Sequence, residues 1–180
     1  MPMCDAYIPK DALSADIERE LIHRVSELIT VHEMRRIFDI SKDPESIKAR
    51  LPHRVWVHHD AEVYVNGQKR EEPYYKFMVY VPEGQADDIF RVAVSRDVTR
   101  AVADAEGGRW PNPEVRVWVF MWEVPDGIWG SRGVPLGLKD MITIVAPDLP
   151  DYADQRLAEH RRDQAVAILE AAGVKSDAVR

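Results

Sequence analysis

Two stretches of the chain place apolar residues three and four positions apart, the spacing that gathers side chains on one face of an α-helix. The first stretch predicts a helix that begins at Ser14, a favoured N-cap residue, with Asp16 and Glu18 in the first turn. The second stretch predicts a helix that begins near Ala86. The two faces consist of Ile17, Leu21, Ile22, Val25, Leu28, Ile29 and His32, and of Phe90, Val94, Val98, Ala101, Val102 and Ala105.

Four other segments are rich in β-branched and aromatic residues, which favour extended strands. The segments span residues 2–8, 55–65, 75–81 and 116–124. Asn66-Gly67 follows the second segment directly and is a strong signal for a tight turn.

The chain repeats itself. Tyr7-Ile8-Pro9 precedes the first helix and Tyr80-Val81-Pro82 precedes the second, and each helix is followed by Arg-Val-Trp-Val, at 54–57 and at 116–119. The interval from the tyrosine to this tetrapeptide is 47 residues in the first half and 36 in the second, which places about eleven extra residues within 34–53. A duplicated β-α-β unit explains this order.

Strands joined through a helix pair in parallel, with right-handed crossovers. We therefore expect an α/β fold, a two-layer sandwich in which four strands carry two helices on one face. Something must cover the other face of the sheet, and oligomerisation is the natural cover. Tyr75 is the counterpart of Pro2 in the second half, so only the first half begins with a chain terminus.

The alternation of predicted strands and helices ends after Val145. Pro147 and Pro150 interrupt it, and residues 151–172 then predict one helix that stops at Gly173. Its modest apolar edge consists of Leu157, Ala165, Ile168, Leu169 and Ala172. We interpret residues 1–146 as one domain built from repeats 2–70 and 74–141, and residues 147–180 as a helical extension without catalytic content.

Composition and charge argue against several classes of partner and location. A net charge of −7, with no stripe of lysine and arginine, argues against nucleic acid as a partner. No window is apolar enough for a membrane span, and no basic, apolar leader begins the chain, so we expect a cytoplasmic protein. Cys4 is the single cysteine and lies in an apolar strand, where a buried, inert thiol is expected.

Pro2 carries the most distinctive candidate chemistry. Methionine ahead of a small residue is normally removed, which would leave the secondary amine of Pro2 as the N-terminus. An α-amino group titrates near neutrality, and burial or nearby cations lower its pKa further. Such an amine is suited to proton transfer.

A proline terminus on a duplicated β-α-β unit resembles the tautomerase superfamily. Val115-Arg116-Val117 through Glu123, followed by Gly127 to Gly133, is similar to the closing strand and the aromatic-glycine hairpin of the 4-oxalocrotonate tautomerase family. Residues 116–125 resemble the same strand in the cis-3-chloroacrylic acid dehalogenase family, and residues 129–141 resemble the malonate semialdehyde decarboxylase family. The similarity covers residues 2–141.

The resemblance implies roles for individual residues. Pro2 matches the catalytic proline, Arg54 and Arg116 match an arginine that holds the substrate carboxylate, and Trp129 matches the aromatic wall of the pocket. Phe120 and Ser131 fall where the dehalogenase family has a tyrosine and a water-activating glutamate, which argues against hydratase or dehalogenase chemistry. His32 lies near the position of a substrate-positioning histidine.

The loop at residues 82–85 departs from the family, because it holds no arginine where these relatives have one or two. Arg132, Lys10, Lys76 and Arg54 are the local cations that could substitute.

A purely structural role is an alternative to substrate binding for several of these residues. His32 also fits a hydrogen-bonded residue at a helix end, Arg54 and Arg116 fit surface ion pairs, and Phe120 fits a core or subunit interface together with Trp118 and Trp122. His58-His59 gives no recognised metal-ligand spacing, so we expect no metal.

The resemblance predicts a homotrimeric, cofactor-independent tautomerase that acts on a small-molecule substrate, with Pro2 as general base. Two alternatives remain open at this point. One is decarboxylation of a β-keto acid at the same site, and the other is a catalytically inactive trimeric binding or scaffold protein.

Overall fold

A computed structural model of the chain describes residues 2–51, 54–59 and 62–173. The strands are β1 (Met3–Tyr7), β2 (Arg54–His58), β3 (Tyr64–Val65), β4 (Gln68–Lys69), β5 (Tyr75–Pro82), β6 (Val117–Val124), β7 (Trp129–Ser131) and β8 (Val134–Leu136). The helices are α1 (Ala15–Glu33), α2 (Arg35–Ile40), α3 (Pro44–Arg50), α4 (Asp88–Ala105), α5 (Pro113–Arg116), α6 (Leu138–Val145) and α7 (Tyr152–Ala171). None of the helices in these ranges is long and apolar enough to cross a membrane.

The main sheet has four strands in the order β2-β1-β5-β6. β1 pairs in parallel with β2, and β5 pairs in parallel with β6, whereas β1 and β5 are antiparallel. This mixed sheet confirms the predicted α/β fold with two β-α-β units related as repeats.

Helices α1 and α4 cover one face of the sheet, and each begins at a capping residue. The Ser14 hydroxyl accepts a hydrogen bond from the backbone N–H of Ile17, and the Asp87 carboxylate accepts one from Phe90. Ser14 and Asp87 are 73 residues apart, the same interval that separates Tyr7 from Tyr80. The repeat therefore extends from the strand into the helix without insertion.

The opposite face of the sheet is open in the single chain and carries large aromatic side chains. Trp118 is 57% exposed and Trp122 is 56% exposed, and Phe120 and Trp56 are also exposed. Alternation along a strand places such residues on the face away from the helices. The sheet thus has one covered and one uncovered side.

The non-repeated parts of the chain form a second apolar core. It joins Met34 and Ile37 near α2, Ile47 of α3, Ile142 of α6 and Leu157 of α7. The extra residues predicted within 34–53 are therefore two short helices that pack against the C-terminal helices.

Two strand boundaries and one apolar face differ from the sequence prediction. The second strand ends at His58, and β3 and β4 instead form a separate hairpin around Asn66-Gly67, whose φ angles of 54° and 77° suit a tight turn. Arg116 ends the helical turn α5 rather than beginning a strand. The predicted apolar edge of α7 is wrong beyond Leu157, because Ile168 is 68% exposed.

Arg116 is the centre of a buried ion pair that ties the start of β6 to the end of α4. Its guanidinium donates two hydrogen bonds to the Glu106 carboxylate, at 2.7 and 2.6 Å, and both side chains are at most 3% exposed. The same group donates to the backbone oxygens of Pro73 and Pro111, each at 2.9 Å. These contacts raise the pKa of Arg116, chiefly through the hydrogen bonds to Glu106.

We predict that Arg116→Met lowers the free energy of unfolding by about 3–5 kcal/mol, because it leaves the buried Glu106 carboxylate without its cation. Urea denaturation followed by circular dichroism measures this loss. Arg54→Met, at the exposed arginine that begins the first Arg-Val-Trp-Val, is the control and should change stability by less than about 0.5 kcal/mol. Equal losses in the two variants would contradict the structural role of Arg116.

Candidate active site

Pro2 is buried immediately before β1, one of the two central strands of the sheet. Its neighbour Met3 lies opposite Arg54 on β2 and opposite Tyr80 on β5. The start of β1 is therefore flanked by the start of one strand and the end of another.

Pro2 lies on the helix-covered side of the sheet. Side chains alternate along a strand, and Cys4, Ala6 and Ile8 are buried in the core that α1 and α4 share with the sheet. Burial, with a smaller contribution from Asp5, raises the pKa of the Cys4 thiol to about 12. Cys4 therefore stays protonated near neutral pH, which agrees with the inert thiol expected from the sequence.

Arg54 is the predicted arginine that the structure brings to the Pro2 end. It is the first residue of β2, it pairs with Met3, and its side chain is exposed. Neighbouring strands lie about 4.8 Å apart, so Arg54 is within reach of a small molecule bound at this end.

Trp129 approaches the same end from the open side of the sheet. It is buried with Leu136 and Met141, and this cluster packs against Met3 and Tyr80. The hairpin β7–β8 thus brings an aromatic side chain next to the strand that begins with Pro2. Arg132 follows in the turn of that hairpin, where it is exposed and has a φ of 54°.

Arg116 lies at the opposite end of the sheet. It precedes Val117, which pairs with Tyr75 at the start of β5, about 20 Å along that strand from the Pro2 end. Its guanidinium is occupied by Glu106 and by backbone oxygens. The structure therefore does not bring Arg116 together with Pro2.

Phe120 lies away from Pro2, and the side chain of His32 is engaged with α4. Phe120 pairs with Met78 in the middle of β6, and its ring stacks on Trp118 with the ring centroids 6.2 Å apart. His32 Nε2 lies 2.9 Å from Asp97 Oδ2, in a contact between α1 and α4. Hydrogen bonds from Arg96 and then from His32 lower the pKa of Asp97 to about 2.

The two lysines proposed as substitute cations lie at the end of β1 that is far from Pro2. Lys10 follows β1 at its far end, and Lys76 Nζ lies 3.8 Å from the centroid of the Tyr7 ring.

Helix α7 supplies the cations that the loop at residues 82–85 lacks. Arg156 donates from Nε to the backbone oxygen of Gly84 at 2.5 Å, and Arg161 donates from Nε to Glu83 at 2.7 Å. Gly84 has a φ of 84°, and a side chain there would meet the Cβ of His160 at 3.5 Å. The sequence prediction of a tail without catalytic content missed this contact, since no local pattern connects residue 84 with residue 156.

Two carboxylates fasten the loops that end β5 and β6 to each other. Glu83 accepts a hydrogen bond from the backbone N–H of Asp126 at 2.9 Å, and Glu123 accepts one from Ala86 at 2.8 Å. Helix α7 holds both carboxylates from outside, Glu83 through Arg161 and Glu123 through His160, whose Nε2 lies 3.1 Å from it. The hydrogen bond from Arg161 lowers the pKa of Glu83, so the Glu83 carboxyl is ionised near neutral pH.

In the described part of the chain, no group of three His, Cys, Asp or Glu side chains is arranged to hold a metal ion. The adjacent histidines are each engaged with a carboxylate. His58 Nε2 lies 2.9 Å from Asp5, and His59 Nε2 lies 3.0 Å from Glu18.

Comparison with known proteins identifies the fold. No protein-family model matches the sequence, and no curated protein sequence matches it. Solved structures match over most of the chain. The structure of Pt0534 inactivated by 2-oxo-3-pentynoate aligns with a TM-score of 0.56 at 21% identity, and the alignment covers 77% of this chain and 98% of that one.

Two further solved structures match the same fold. The symmetric trimer of Q0 fused 4-OT has a TM-score of 0.53 at 17% identity, with 77% of this chain and 96% of that chain covered. N1, a member of the cis-3-chloroacrylic acid dehalogenase family, has a TM-score of 0.51 at 15% identity, with 85% and 99% covered. The chain therefore has the fold of the tautomerase superfamily, and the resemblance predicted from the sequence is confirmed at that level.

We predict that Arg156→Ala loosens the loop at residues 82–87. The variant loses the hydrogen bonds from Arg156 to Gly84 and Glu159, and we expect it to lose about 1.5–3 kcal/mol of stability. Hydrogen exchange resolved by mass spectrometry should show faster exchange in this loop. Arg162→Ala, an exposed neighbour on α7, is the control. Identical exchange in both variants would rule out a restraining role for Arg156.

Proposed function

We propose that this chain is a cofactor-independent tautomerase in which the amine of Pro2 moves a proton during keto-enol interconversion of a small carbonyl or carboxylate substrate. The observation that carries the proposal is the buried position of Pro2 at the start of a central strand, at the sheet end that Arg54 and Trp129 also reach. The tautomerase-superfamily fold supports it.

The proposed mechanism uses a neutral proline amine as base. Burial disfavours the ammonium form and lowers the pKa of an amine, so the lone pair is available near neutral pH. The amine takes a proton from the carbon next to the substrate carbonyl, and the electrons of that C–H bond form an enolate. Arg54 offsets the developing negative charge. The prolyl ammonium then returns the proton to another carbon, which regenerates the enzyme.

The second candidate is decarboxylation of a β-keto acid at the same site. The bond to the departing carboxylate breaks, its electrons form an enolate, and the prolyl ammonium supplies the proton that completes the product. This reaction needs a charged amine at the start. A buried carboxylate in the last turn of α1, Glu33, favours that charge state, because helix α1 ends at the Pro2 end of the sheet.

We also propose that the protein is a homotrimer whose subunits cover one another's open sheet faces. The exposed aromatic residues of that face are the physical reason, since a contiguous apolar surface of this kind marks an association site. The fused 4-OT relatives are described as trimers, which supports the same arrangement.

We predict that Pro2→Ala lowers kcat/KM by about 10²- to 10⁴-fold, the usual contribution of a general acid or base. A variant that retains Met1, verified by intact mass, should lose as much because its amine is displaced by one residue. The assays use phenylenolpyruvate for tautomerisation and malonate semialdehyde for decarboxylation. Lys10→Ala, at the far end of β1, is the control and should keep full activity.

Covalent labelling tests the amine independently. Pt0534 is inactivated by 2-oxo-3-pentynoate, whose alkyne is conjugated to a ketone and accepts a neutral amine by addition. We expect one equivalent of this reagent to add to Pro2 with a mass gain equal to the whole reagent. Ordinary turnover by the Met1-retaining variant would overturn the role of the Pro2 amine. Turnover of neither substrate by the wild type would overturn the enzymatic proposal and leave the binding or scaffold role.

We predict a solution mass three times the 20.6 kDa of the chain, measured by light scattering after size-exclusion chromatography. Trp118→Lys combined with Trp122→Lys should yield monomers, because it places charges on the proposed contact face. Val92→Lys is the matched control, since Val92 is exposed on the outer side of α4. A monomeric wild type, or a trimeric double variant, would refute this assembly.

A further inference from the structure

Helix α1 presents a line of buried residues to the sheet, and the last of them is charged. Leu21, Val25, Ile29 and Glu33 follow one another at four-residue steps, which keeps them on one face of the helix. They are between 0% and 3% exposed. Glu33 thus continues the core-facing line beyond the apolar residues.

Strand β1 presents a matching line to the helix, formed by Ile8, Ala6, Cys4 and Pro2 at two-residue steps. Because α1 connects two parallel strands, it runs back along β1 in the opposite direction. Two strand residues advance about 6.7 Å and four helical residues about 6 Å, so the two lines stay in step. Ile29 therefore lies near Cys4, and Glu33 lies over Pro2.

The second repeat provides an internal comparison. The interval of 73 residues that relates Tyr7 to Tyr80 also relates Pro2 to Tyr75 and Glu33 to Glu106. Glu106 ends the corresponding line of α4, after Val94, Val98 and Val102.

In that repeat the two residues are neighbours. Burial raises the pKa of the Tyr75 phenol, and the adjacent Glu106 carboxylate raises it further. The fold has therefore placed a buried glutamate beside the residue that begins the central strand, at the position that Glu33 occupies in the first repeat.

We propose that Glu33 is a positioning residue that binds the amine of Pro2 as its counter-charge. This proposal rests on the proposed function only for its catalytic consequence, since the pairing itself requires no turnover. A carboxylate favours the ammonium form, whereas burial favours the neutral amine, so Glu33 sets the balance between the base and the acid forms of Pro2.

Four ionisable residues on the elements packed near the end of α1, and Cys4 on β1, are engaged with other groups or uncharged within the described part of the chain. Arg35 and Arg36 bind Asp87, and Arg156 binds Glu159. Tyr152 of α7 and Cys4 of β1 both have raised pKa values, mainly because of burial, and carry no charge near neutral pH.

A ¹⁵N NMR titration of protein labelled at proline, with Met1 removal verified by mass, tests this pairing. We expect Glu33→Gln to lower the pKa of the Pro2 amine by about one to three pH units, the effect of an opposite charge within about 4–6 Å. Glu33→Asp retains the carboxylate and should stay within about half a unit of the wild type. Glu27→Gln, an exposed position on the same helix, should leave the titration unchanged.

A wild-type measurement covers the case in which Glu33→Gln does not fold. The ¹⁵N curve of Pro2 and the ¹³C curve of the Glu33 carboxyl should each show an inflection where the other group titrates. An ordinary single titration near pH 7.7–8.0 for the amine, insensitive to Glu33, would overturn the pairing.

The pH profile of kcat/KM links the pairing to catalysis. If Pro2 acts as base, Glu33→Gln should move the acidic limb to lower pH by the same amount as the amine pKa. If Pro2 acts as acid, the alkaline limb should move to lower pH instead. A coupled titration in a protein that turns over neither substrate would retain the pairing and refute only the proposed function.

Discussion

The position of β1 inside the sheet is the constraint on which the rest of the structure depends. A chain terminus normally frays, because few contacts hold it. Here the first strand pairs on both edges, with β2 in parallel and with β5 antiparallel, and its helix-facing side chains are buried. Strand β1 is therefore held like an internal core segment, and Pro2 lies directly before it.

The parts outside the repeat reinforce the same end of the sheet. The second apolar core joins α2, α3, α6 and α7, and the cations of α7 meet the loop at residues 82–85 from outside. Glu83 and Glu123 connect this loop to the segment after β6. A loop without an arginine of its own is thus restrained by a helix about seventy residues further along the chain.

Local patterns were sufficient to predict the caps at Ser14 and near Ala86 and the helix over residues 151–172, because each depends on spacing within a few turns. The repeat was predictable because both copies carry the same short motifs in the same order. Local patterns were not sufficient for Arg116, because its burial depends on Pro73, 43 residues away, and on the way residues 106–111 fold back onto its guanidinium. Motif matching assigned Phe120 and His32 to the substrate; strand register places Phe120 in the middle of β6, and the side chain of His32 contacts Asp97 of α4. The sequence did contain a signal for Glu33, since the 73-residue interval that aligns Tyr7 with Tyr80 also aligns Glu33 with Glu106.

The two repeats differ at the residue that precedes the central strand and at the arginine of the shared tetrapeptide. Pro2 has the internal residue Tyr75 as its counterpart, and Arg54 pairs with Met3 inside β2, whereas Arg116 precedes β6 and is bound to Glu106. Joining two units in one gene doubles the scaffold but not the number of free chain ends, so an assembly of fused chains holds half as many reactive termini per unit of fold. The positions released in this way became available for stabilising the protein.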